Sequence, residues 1–356
     1  MRILHFISSP AAGGAEIYVR DLSIVMRECG HDIHMVFLQS AAGEGRDLKF
    51  EKQFLESLSQ HSITYSFIGK DARSKPWVGG ARLRHQVRVF NPDVIHCHLY
   101  YALIFSFFVL KTPVVYTHHS FELSLPRIIY RFFDFRVKAY IGICSACTNL
   151  LRPIVTRDVI QIDNAADRRR TPSRSINRQS REELVFVFVG SLRAPKNLKL
   201  MLNSFSVLKN RNAILKIAGE GPDRNELEIL AKALDIDKKV QFLGNISNVG
   251  DVLADADVFL MSSAWEGLPI ALIEATLIGL PVIVTNVGGC AEVVHRCANG
   301  FVVDSLDVID YRAALEKMMN SAQLRLFFSQ NAMEYSMEYE IHGAVEKHLD
   351  LYHKVV

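Results

Sequence analysis

The feature that most constrains this fold is an alternation of strand and helix patterns along almost the whole chain. Residues 2–7 form an apolar run typical of a buried strand, and residues 15–29 then repeat apolar side chains at helical spacing. Gly30 suits the end of that helix, and residues 32–38 form the next strand pattern. A strand, a tight loop, a helix and a further strand make up the repeating unit of a doubly wound parallel sheet. The sequence therefore predicts an α/β fold.

The alternation stops once and then restarts, which predicts two domains. Residues 167–183 are basic and polar and lack apolar periodicity, so we interpret them as a linker. A chain of 356 residues is also long for a single core. We expect tandem Rossmann-like domains at 1–166 and 184–336, with parallel sheets facing across a cleft, and a final helix at 337–356 that returns to the first domain. Such sheets bind ligands at the carboxyl ends of their strands, so the cleft is the expected site.

Composition and charge exclude several classes of protein. Apolar residues make up 49% of the chain and charged residues 22%, which is typical of a globular protein. The formal net charge of +3 is too small to indicate nucleic-acid binding. The longest apolar stretch, residues 99–110, is shorter than the roughly 20 residues of a membrane span, so we expect a buried helix there. Because no signal-peptide pattern is visible, we expect a cytoplasmic protein with reduced cysteines.

Two glutamates, Glu266 and Glu274, flank a Gly-Leu-Pro turn and the start of an apolar run. If the run is helical, Glu266 precedes a helix N-terminus, where free N–H groups and the helix dipole suit a diphosphate. The two carboxylates could then hold hydroxyls at the two ends of a sugar nucleotide. Solvated surface charges are the alternative, since glutamate is common in helices. The apolar neighbours of Glu274 indicate instead a buried carboxylate, which needs a bonding partner.

Two further groups of residues could contact phosphate. Arg193 and Lys196 follow the first strand of the second domain, and cations at a strand end suit a diphosphate, although solvated loop charges are the alternative. Gly13 and Gly14 lie where the first strand meets the first helix, and glycine there lets the backbone approach a phosphate or sugar closely. Glycine pairs are common in loops, so this second signal is weak by itself.

Four histidines, His96, His98, His118 and His119, lie at or just beyond strand ends of the first domain. Alternation along a strand places His96 and His98 on one face. A metal site would be expected to include a carboxylate or cysteine at a clear spacing, and because the sequence offers none we predict no metal. A polar contact to substrate is the preferred interpretation.

Together these motifs resemble the retaining glycosyltransferases of GT-B family 4 over nearly the whole chain. The most specific part of the resemblance is residues 263–275, continued by residues 279–285, Gly288, Gly289, Glu292 and residues 299–300. Moderate support, in the right order along the chain, comes from residues 13–16, 96–98, 117–119, 219–222 and 242–244.

The resemblance implies donor-binding roles for residues of the second domain. Glu274 would hold the ribose hydroxyls. Glu266 would hold hydroxyls of the donor sugar, with the N–H groups of Gly267 and Leu268 nearby. The base would rest against the loop that follows Gly244.

The remaining implied roles concern the diphosphate and the transferred sugar. Lys196, aided by Arg193, would bind the diphosphate, and Gly13 and Gly14 would let the first domain touch the phosphate or the sugar. By its spacing from Pro113, His119 rather than His118 matches the family histidine near the reacting sugar.

Two positions depart from the pattern of the family. Many members have an arginine that binds phosphate where this chain has Ser191, so we suggest that Arg193 substitutes for it. Many members have Asn-Gly-Val-Asp between the domains, whereas residues 164–167 read Asn-Ala-Ala-Asp. The geometry of this hinge is therefore expected to differ.

The resemblance implies a retaining hexosyltransferase that uses a nucleotide-diphosphate sugar and needs neither cofactor nor metal. Its acceptor would be a glycan or lipid-linked glycan, and its setting bacterial polysaccharide or lipopolysaccharide synthesis. Lys196, Arg193 and helix N-termini would stabilise the charge that develops on the diphosphate. A sugar-nucleotide epimerase of the same fold and a noncatalytic sugar-nucleotide-binding protein are the alternatives.

Residues 126–138 mix aromatic and cationic side chains at helical spacing. A helix of this kind could lie on an anionic membrane surface, at the inner face of the cytoplasmic membrane, and would then suggest a lipid-linked acceptor. A packed helix with a charged outer face is the alternative, with equal weight.

Overall fold

The computed structural model describes residues 1–44, 47–172, 183–208, 210–246 and 248–356. These residues form two compact units. Unit 1 comprises Met1–Ala165 together with Ile341–Val356, and unit 2 comprises Ala166–Glu340. The strands of each sheet pair in parallel, and helices connect them, so the predicted α/β class is confirmed.

Unit 1 contains, within its described residues, a seven-stranded sheet with the strand order β3-β2-β1-β4-β5-β6-β7. Its strands are β1 (Arg2–Ile7), β2 (Asp32–Phe37), β3 (Thr64–Phe67), β4 (Val94–Cys97), β5 (Val114–His118), β6 (Val137–Gly142) and β7 (Val159–Gln161). The helices between them are α1 (Gly14–Glu28), α2 (Leu48–Gln60), α3 (Pro76–Phe90), α4 (Tyr100–Ser106), α5 (Arg127–Phe133) and α6 (Ser145–Leu151). The strand order reverses its direction between β1 and β4, which is where such sheets bind ligands.

Unit 2 contains, in the part of the chain described, a six-stranded sheet with the order β10-β9-β8-β11-β12-β13. Its strands are β8 (Leu184–Val189), β9 (Ala213–Ala218), β10 (Val240–Gly244), β11 (Val258–Met261), β12 (Val282–Thr285) and β13 (Gly300–Val303). Its helices are α7 (Leu198–Phe205), α8 (Arg224–Ala233), α9 (Val249–Ala254), α10 (Ile270–Leu277), α11 (Cys290–Cys297), α12 (Val308–Asn320) and α13 (Ala322–Tyr335). The order reverses here between β8 and β11.

The last helix, α14 (Ile341–Val355), belongs to unit 1 and packs against α1, where the Tyr18 hydroxyl and Nε2 of His348 lie 2.9 Å apart. It begins four residues later than the sequence predicts, because residues Ser336–Tyr339 form a 3-10 turn before it.

The period of two along the strands gives the sheet of unit 1 two different faces. Leu4 and Ile95 belong to an apolar core that includes Phe105 and Tyr130. The alternate positions His5 and His96 lie directly opposite each other on β1 and β4. These histidines are buried, so polar side chains occupy part of the interior on this face.

Three segments differ from their predicted structure. The described start of the predicted linker is ordered, because the buried Asp167 carboxylate accepts hydrogen bonds from the backbone N–H of Arg169 at 2.8 Å and from its Nη2 at 2.7 Å. Residues 173–182 of that linker lie outside the described residues. In the stretch 99–110 only α4 is helical, and Phe108 and Leu110 beyond it are exposed. Residues 126–138 are helical only within α5, because the chain enters β6 at Val137.

None of the helices in the described part of the chain combines the length and apolar character that crossing a membrane requires.

Candidate active site

In unit 2, the loops after two neighbouring strands bring Lys196 and Glu266 into contact. β8 and β11 pair in parallel, so their carboxyl ends lie at the same edge of the sheet. The Lys196 ammonium forms an ion pair with Oε1 of Glu266, and the Ser263 hydroxyl donates a hydrogen bond to the same oxygen at 2.7 Å. Both charged side chains are largely buried, so water screens their attraction less than at an open surface.

Backbone contacts hold the two loops in fixed positions relative to each other. The Ser262 hydroxyl donates hydrogen bonds to the carbonyl oxygens of Lys196 and Asn197 at 3.1 and 3.0 Å. The Ala264 N–H donates to the carbonyl oxygen of Pro195 at 2.8 Å. Lys196 and Glu266 therefore lie on loops whose backbones are hydrogen-bonded to each other.

The loop after β12 supports the Glu266 turn from another direction. The Thr285 hydroxyl donates to the Ser263 carbonyl oxygen at 2.6 Å, and the Gly289 N–H donates to the Gly267 carbonyl oxygen at 2.7 Å. At Gly288 φ is +54°, and an added Cβ would lie 2.1 Å from the Glu266 carbonyl oxygen. Only glycine fits this close approach without movement of the backbone. The interaction also explains why Gly288 and Gly289 accompany the two glutamates in the motif.

The structure confirms the predicted placement of the second glutamate. Glu266 precedes α10, and Glu274 lies within it with 4% of its surface exposed. The Glu274 Oε1 atom forms an ion pair with Nη1 of Arg170 at 3.2 Å. Arg170 belongs to the segment that the sequence suggests is a linker, so this partner of the buried carboxylate was not predicted.

Glycines terminate three neighbouring strands near this site. The Gly219 N–H donates to the Gly244 carbonyl oxygen at 2.8 Å, and a Cβ at Gly219 would lie 1.9 Å from the Gly190 carbonyl oxygen. The backbones that follow β8, β9 and β10 thus approach each other closely. Arg193 lies in the first of these loops, and its exposed side chain makes no ion pair in the described part of unit 2. The Lys196 N–H donates a hydrogen bond to the Arg193 carbonyl oxygen at 2.9 Å, so the two cations share one turn, but of these two side chains only that of Lys196 forms an ion pair with Glu266.

In unit 1, Gly13 and Gly14 lie at the start of α1, as the sequence predicts. A Cβ at Gly13 would lie 2.0 Å from Oε2 of Glu16, and the other oxygen of Glu16 accepts a hydrogen bond from Ser8 at 2.5 Å. A carboxylate beside these glycines would repel a phosphate, whereas it can accept hydrogen bonds from hydroxyls. The geometry therefore suits contact with a sugar better than contact with a phosphate.

His118, the last residue of β5, and His119, the residue after it, have side chains in different environments. Nδ1 of His118 lies 3.3 Å from the Tyr116 hydroxyl, on the side of the apolar core. Nε2 of His119 lies 3.1 Å from Nδ1 of His98, and Nε2 of His98 lies 3.0 Å from Nδ1 of His5. His119 therefore ends a chain of three hydrogen-bonded imidazoles. The sequence indicates two of these three imidazoles, those of His98 and His119. It does not indicate His5, because it does not reveal the register of β1 against β4.

A second part of the same polar interior connects β4 to α14. Nδ1 of His96 lies 2.6 Å from the Tyr352 hydroxyl, and its Nε2 lies 2.7 Å from the Thr117 hydroxyl. Burial lowers the pKa of His5 and of His348 to about 3, so both imidazoles are neutral at pH 7.

Nitrogen atoms of His5, His96 and His98 lie within 4.8 Å of one another, which is close enough for three ligands of one metal ion. Both ring nitrogens of His96 and of His98 already have hydrogen-bond partners. A bound metal would have to displace some of these hydrogen bonds. The three histidines are therefore part of a hydrogen-bond network in this structure.

Comparison with known proteins identifies the family of the chain. Residues 169–335 match the family described as glycosyl transferases group 1, and residues 12–183 match glycosyltransferase family 4. A Campylobacter jejuni relative, GalNAc-alpha-(1->4)-GalNAc-alpha-(1->3)-diNAcBac-PP-undecaprenol alpha-1,4-N-acetyl-D-galactosaminyltransferase, is 30% identical over 99% of this chain and 98% of its own length. The chain belongs to the group 1 glycosyltransferases.

Two further comparisons place this glycosyltransferase among its relatives. An uncharacterized glycosyltransferase of Haemophilus influenzae is 30% identical over 169 residues, and the match spans 47% of this chain and 48% of that protein. The crystal structure of Anabaena HepE in complex with UDP-glucose has a TM-score of 0.83 at 17% identity, covering 99% of this chain and 100% of HepE. At this identity the likeness shows the fold alone, which is the GT-B fold with two parallel α/β sheets.

Proposed function

We propose that the protein is a retaining glycosyltransferase that transfers a hexose-type sugar from a UDP-sugar to a lipid-linked glycan. Such a reaction would belong to bacterial surface polysaccharide or lipopolysaccharide synthesis. The name of the Campylobacter relative, with its diphospho-undecaprenol acceptor, supports the class of acceptor. The UDP-glucose in the HepE complex supports the class of donor.

The observation that carries the proposal is the contact between Lys196 and Glu266 at the carboxyl ends of β8 and β11. The diphosphate of a sugar nucleotide requires a cation, and the hydroxyls of its sugar require a hydrogen-bond acceptor. Lys196 and Glu266 are these two groups. Glu274 supplies a second carboxylate on the helix that follows directly. The loops after β8 and β11 are hydrogen-bonded to each other and hold these groups in place before the donor binds. Less conformational entropy is therefore lost on binding.

We infer that the Lys196 ammonium changes partner when the donor binds. Its ion pair with Glu266 leaves N–H donors for a diphosphate, which carries more negative charge than one carboxylate. Lys196 would then stabilise the charge that develops on the leaving diphosphate, with help from Arg193, and Glu266 would accept hydrogen bonds from the sugar. In this proposal no metal is needed, because protein cations and helix N-termini stabilise the negative charge on the diphosphate.

The other proposed contacts with the donor follow from the resemblance to the family. Glu274 would bind the ribose hydroxyls, and the backbone at Gly267 and Leu268 would lie near the sugar. The loop after Gly244 would contact the base. Among residues of unit 1, we assign Gly13 and Gly14 to a sugar contact and His119 to the reacting sugar.

A lipid-linked acceptor stays in the membrane, so the proposed activity requires the enzyme to work at a membrane surface. We therefore propose peripheral association with the inner face of the cytoplasmic membrane, through the predicted segment 126–138.

The main test is Glu274→Ala, with Glu226→Ala as the matched control. Glu226 is a helical glutamate of the same unit with a lysine partner, but it is exposed. Transfer from UDP-glucose, UDP-galactose and their N-acetylamino forms to a diphospholipid-linked sugar is measured, with UDP binding followed by thermal shift. We expect Glu274→Ala to lose about 100-fold in transfer and to weaken UDP binding while remaining folded, which circular dichroism without ligand checks. Full activity in this variant would contradict the proposed role of Glu274.

Product analysis distinguishes the proposed reaction from its alternatives. A retaining transferase gives a product with the anomeric configuration of the donor, which NMR coupling constants report. An altered sugar nucleotide formed without acceptor would identify an epimerase instead. Donor binding without any turnover would identify a noncatalytic binding protein.

Metal independence is tested separately with EDTA. Transfer should continue at an unchanged rate after chelation, because Lys196 and Arg193 take the place of a metal in the proposed mechanism. Loss of activity with EDTA, restored by Mg²⁺ or Mn²⁺, would show that the diphosphate needs a bound metal.

A further inference from the structure

The three hydrogen-bonded imidazoles of unit 1 end in two nitrogens that have no partner. Nδ1 of His5 lies 3.0 Å from Nε2 of His98, and Nδ1 of His98 lies 3.1 Å from Nε2 of His119. The end atoms, Nε2 of His5 and Nδ1 of His119, are buried and make no hydrogen bond to any described residue. We name these three side chains the imidazole chain. Because buried polar atoms without a partner are uncommon, both ends require an explanation.

All three rings of the imidazole chain are neutral at pH 7. Burial lowers the pKa values of His5 and His119 to about 3, and it lowers the pKa of His98 well below its usual range. A neutral imidazole has one N–H donor and one bare nitrogen that accepts. Each ring therefore carries a single hydrogen, which lies either on Nδ1 or on Nε2.

The two contacts couple the positions of these hydrogens, so that only two arrangements satisfy both hydrogen bonds. In the first arrangement His5 donates to His98 and His98 donates to His119, which leaves the hydrogen of His119 on Nδ1. In the second arrangement both donations run the other way, which leaves Nδ1 of His119 bare and places an N–H at Nε2 of His5. The tautomer of His119 is thus set by its contact with His98.

The burial of the two end residues favours the first arrangement. His5 is completely buried, whereas His119 is partly exposed. The second arrangement would leave an N–H of His5 without a partner in the interior, and in proteins buried N–H groups without partners are rarer than buried acceptors without them. The first arrangement leaves a bare nitrogen on His5 instead. It places the free N–H on His119, where a substrate oxygen can become its partner.

We propose that His98 is a positioning residue for the transfer reaction. It donates a hydrogen bond to Nε2 of His119, while its own ring is oriented by His5, and it thereby holds the hydrogen of His119 on Nδ1. His119 then donates a hydrogen bond from Nδ1 to an oxygen of the reacting sugar and does not accept one there. The inference rests on the proposed function for the contact between His119 and the sugar, whereas the positions of the hydrogens depend on unit 1 alone.

NMR of the full chain with ¹⁵N-labelled histidine tests the tautomer without any substrate. The bare nitrogen and the N–H nitrogen of a neutral imidazole have different ¹⁵N chemical shifts. The chain has 13 histidines, so the signals of His119 are assigned by their loss in His119→Gln. We expect the hydrogen of His119 on Nδ1, and a hydrogen on Nε2 would overturn the proposal. Signals of these rings that change on addition of EDTA would reveal a bound metal and would overturn it as well.

Two substitutions of similar shape test whether His98 sets this tautomer. Asparagine and leucine are close in size, but only the asparagine amide can donate a hydrogen bond to Nε2 of His119. We expect His98→Asn to keep the hydrogen of His119 on Nδ1, and His98→Leu to give a mixture of both tautomers. His118→Leu is the control, because it removes a neighbouring buried imidazole outside the imidazole chain. Unchanged His119 signals in His98→Leu would contradict the role proposed for His98.

Transfer kinetics connect the tautomer to the reaction. We expect His98→Leu to lower kcat about tenfold or more and to change KM for the UDP-sugar less than about twofold, and His98→Asn to recover most of kcat. Equal losses in both variants would indicate a purely structural role and overturn the proposal. If His119 has the expected tautomer but the wild type transfers no sugar to any acceptor, the proposed function fails and the positions of the hydrogens stand. If the wild type transfers sugar with the hydrogen on Nε2 of His119, only the role of His98 fails.

Discussion

At the scale of single residues, the most consequential contact joins Arg170 to Glu274. The Glu274 carboxylate is buried in an otherwise apolar helix, where a charge without a partner is costly. The ion pair at 3.2 Å offsets part of that cost and restricts the directions in which the carboxylate can point. We therefore expect Arg170 to orient the residue proposed to bind ribose.

This expectation is tested with Arg170→Gln, and Arg168→Gln, two positions earlier, is the control. Arg168 belongs to the same 3-10 turn and its guanidinium contacts the sulfur of Met337. We expect Arg170→Gln to weaken UDP binding about tenfold, because a charge-assisted contact to Glu274 is lost, and Arg168→Gln to bind UDP normally. Isothermal titration calorimetry measures both. Tighter UDP binding by Arg170→Gln would show instead that Arg170 competes with the ribose.

Some of these residues could be predicted from the sequence and others could not. Lys196 and Glu266 each follow a strand of a parallel sheet, so their meeting at one edge could be inferred from the alternation of elements. Arg170 could not, because it contacts Glu274 from a polar segment without periodicity, 104 positions earlier in the chain. His5 was missed for a different reason, since the register of β1 against β4 leaves no local signal.

At the scale of elements, glycines allow the carboxyl ends of three strands to converge. Gly219 has a φ of +143°, and a Cβ added there would overlap the Gly190 carbonyl oxygen. That oxygen belongs to the backbone, so it cannot rotate away as a side chain could. Gly244, with φ of +70°, accepts the hydrogen bond from the Gly219 N–H. The loop that carries Arg193 and Lys196 begins at this contact.

Gly219→Ala should therefore displace the end of β8. We expect it to destabilise unit 2 by about 2–4 kcal/mol and to weaken UDP binding, because the Lys196 loop must shift. Gly343→Ala is the contrasting variant, since a Cβ there meets nothing within 4 Å, and it should stabilise α14 by up to about 1 kcal/mol. Denaturant unfolding followed by Trp265 in a Trp77→Phe background reports on unit 2, and unfolding followed by Trp77 in a Trp265→Phe background reports on unit 1, to which α14 belongs. An unchanged midpoint for Gly219→Ala would show that the contact with Gly190 is easily relieved.

The sequence predicts the central elements of each sheet better than the edges. β1, β8 and β11 are buried and form continuous apolar runs. The edge strands β3, β7 and β13 have only three or four residues and are partly exposed, so each gives too short a run to indicate a strand, and the sequence did not indicate them. The sequence predicts α-helix from residue 337 onward because the 3-10 turn before α14 has a residue spacing close to that of an α-helix.

At the scale of the whole molecule, the two units differ in how they use polar groups internally. Unit 2 pairs Lys196 with Glu266 and Arg170 with Glu274. Unit 1 instead buries neutral imidazoles, and burial keeps the pKa values of His96 and His98 well below their usual range. The stability of unit 1 should consequently depend on pH in a way that the ion pairs of unit 2 do not.

The direction of this dependence follows from the difference between folded and unfolded pKa values. His5 and His348 have pKa values of about 3 when folded and about 6.5 when unfolded, so between these values the unfolded chain binds more protons. The stabilising contribution of the neutral histidines is complete above about pH 6.5 and decreases as the pH falls toward about 3. Each such group contributes a slope of about 1.4 kcal/mol per pH unit in that window.

Unit 1 should therefore unfold at lower denaturant concentration at pH 5 than at pH 7, with a slope that reflects several histidines. Trp77 in a Trp265→Phe background reports on unit 1, because the chain has two tryptophans and each unit contains one. His348→Gln removes one of the buried imidazoles and should reduce the pH slope by about 1.4 kcal/mol per unit, whatever it does to stability at pH 7. An equal slope in wild type and His348→Gln would mean that His348 is protonated in the folded protein. A midpoint that is independent of pH would show that none of these histidines is held neutral by burial.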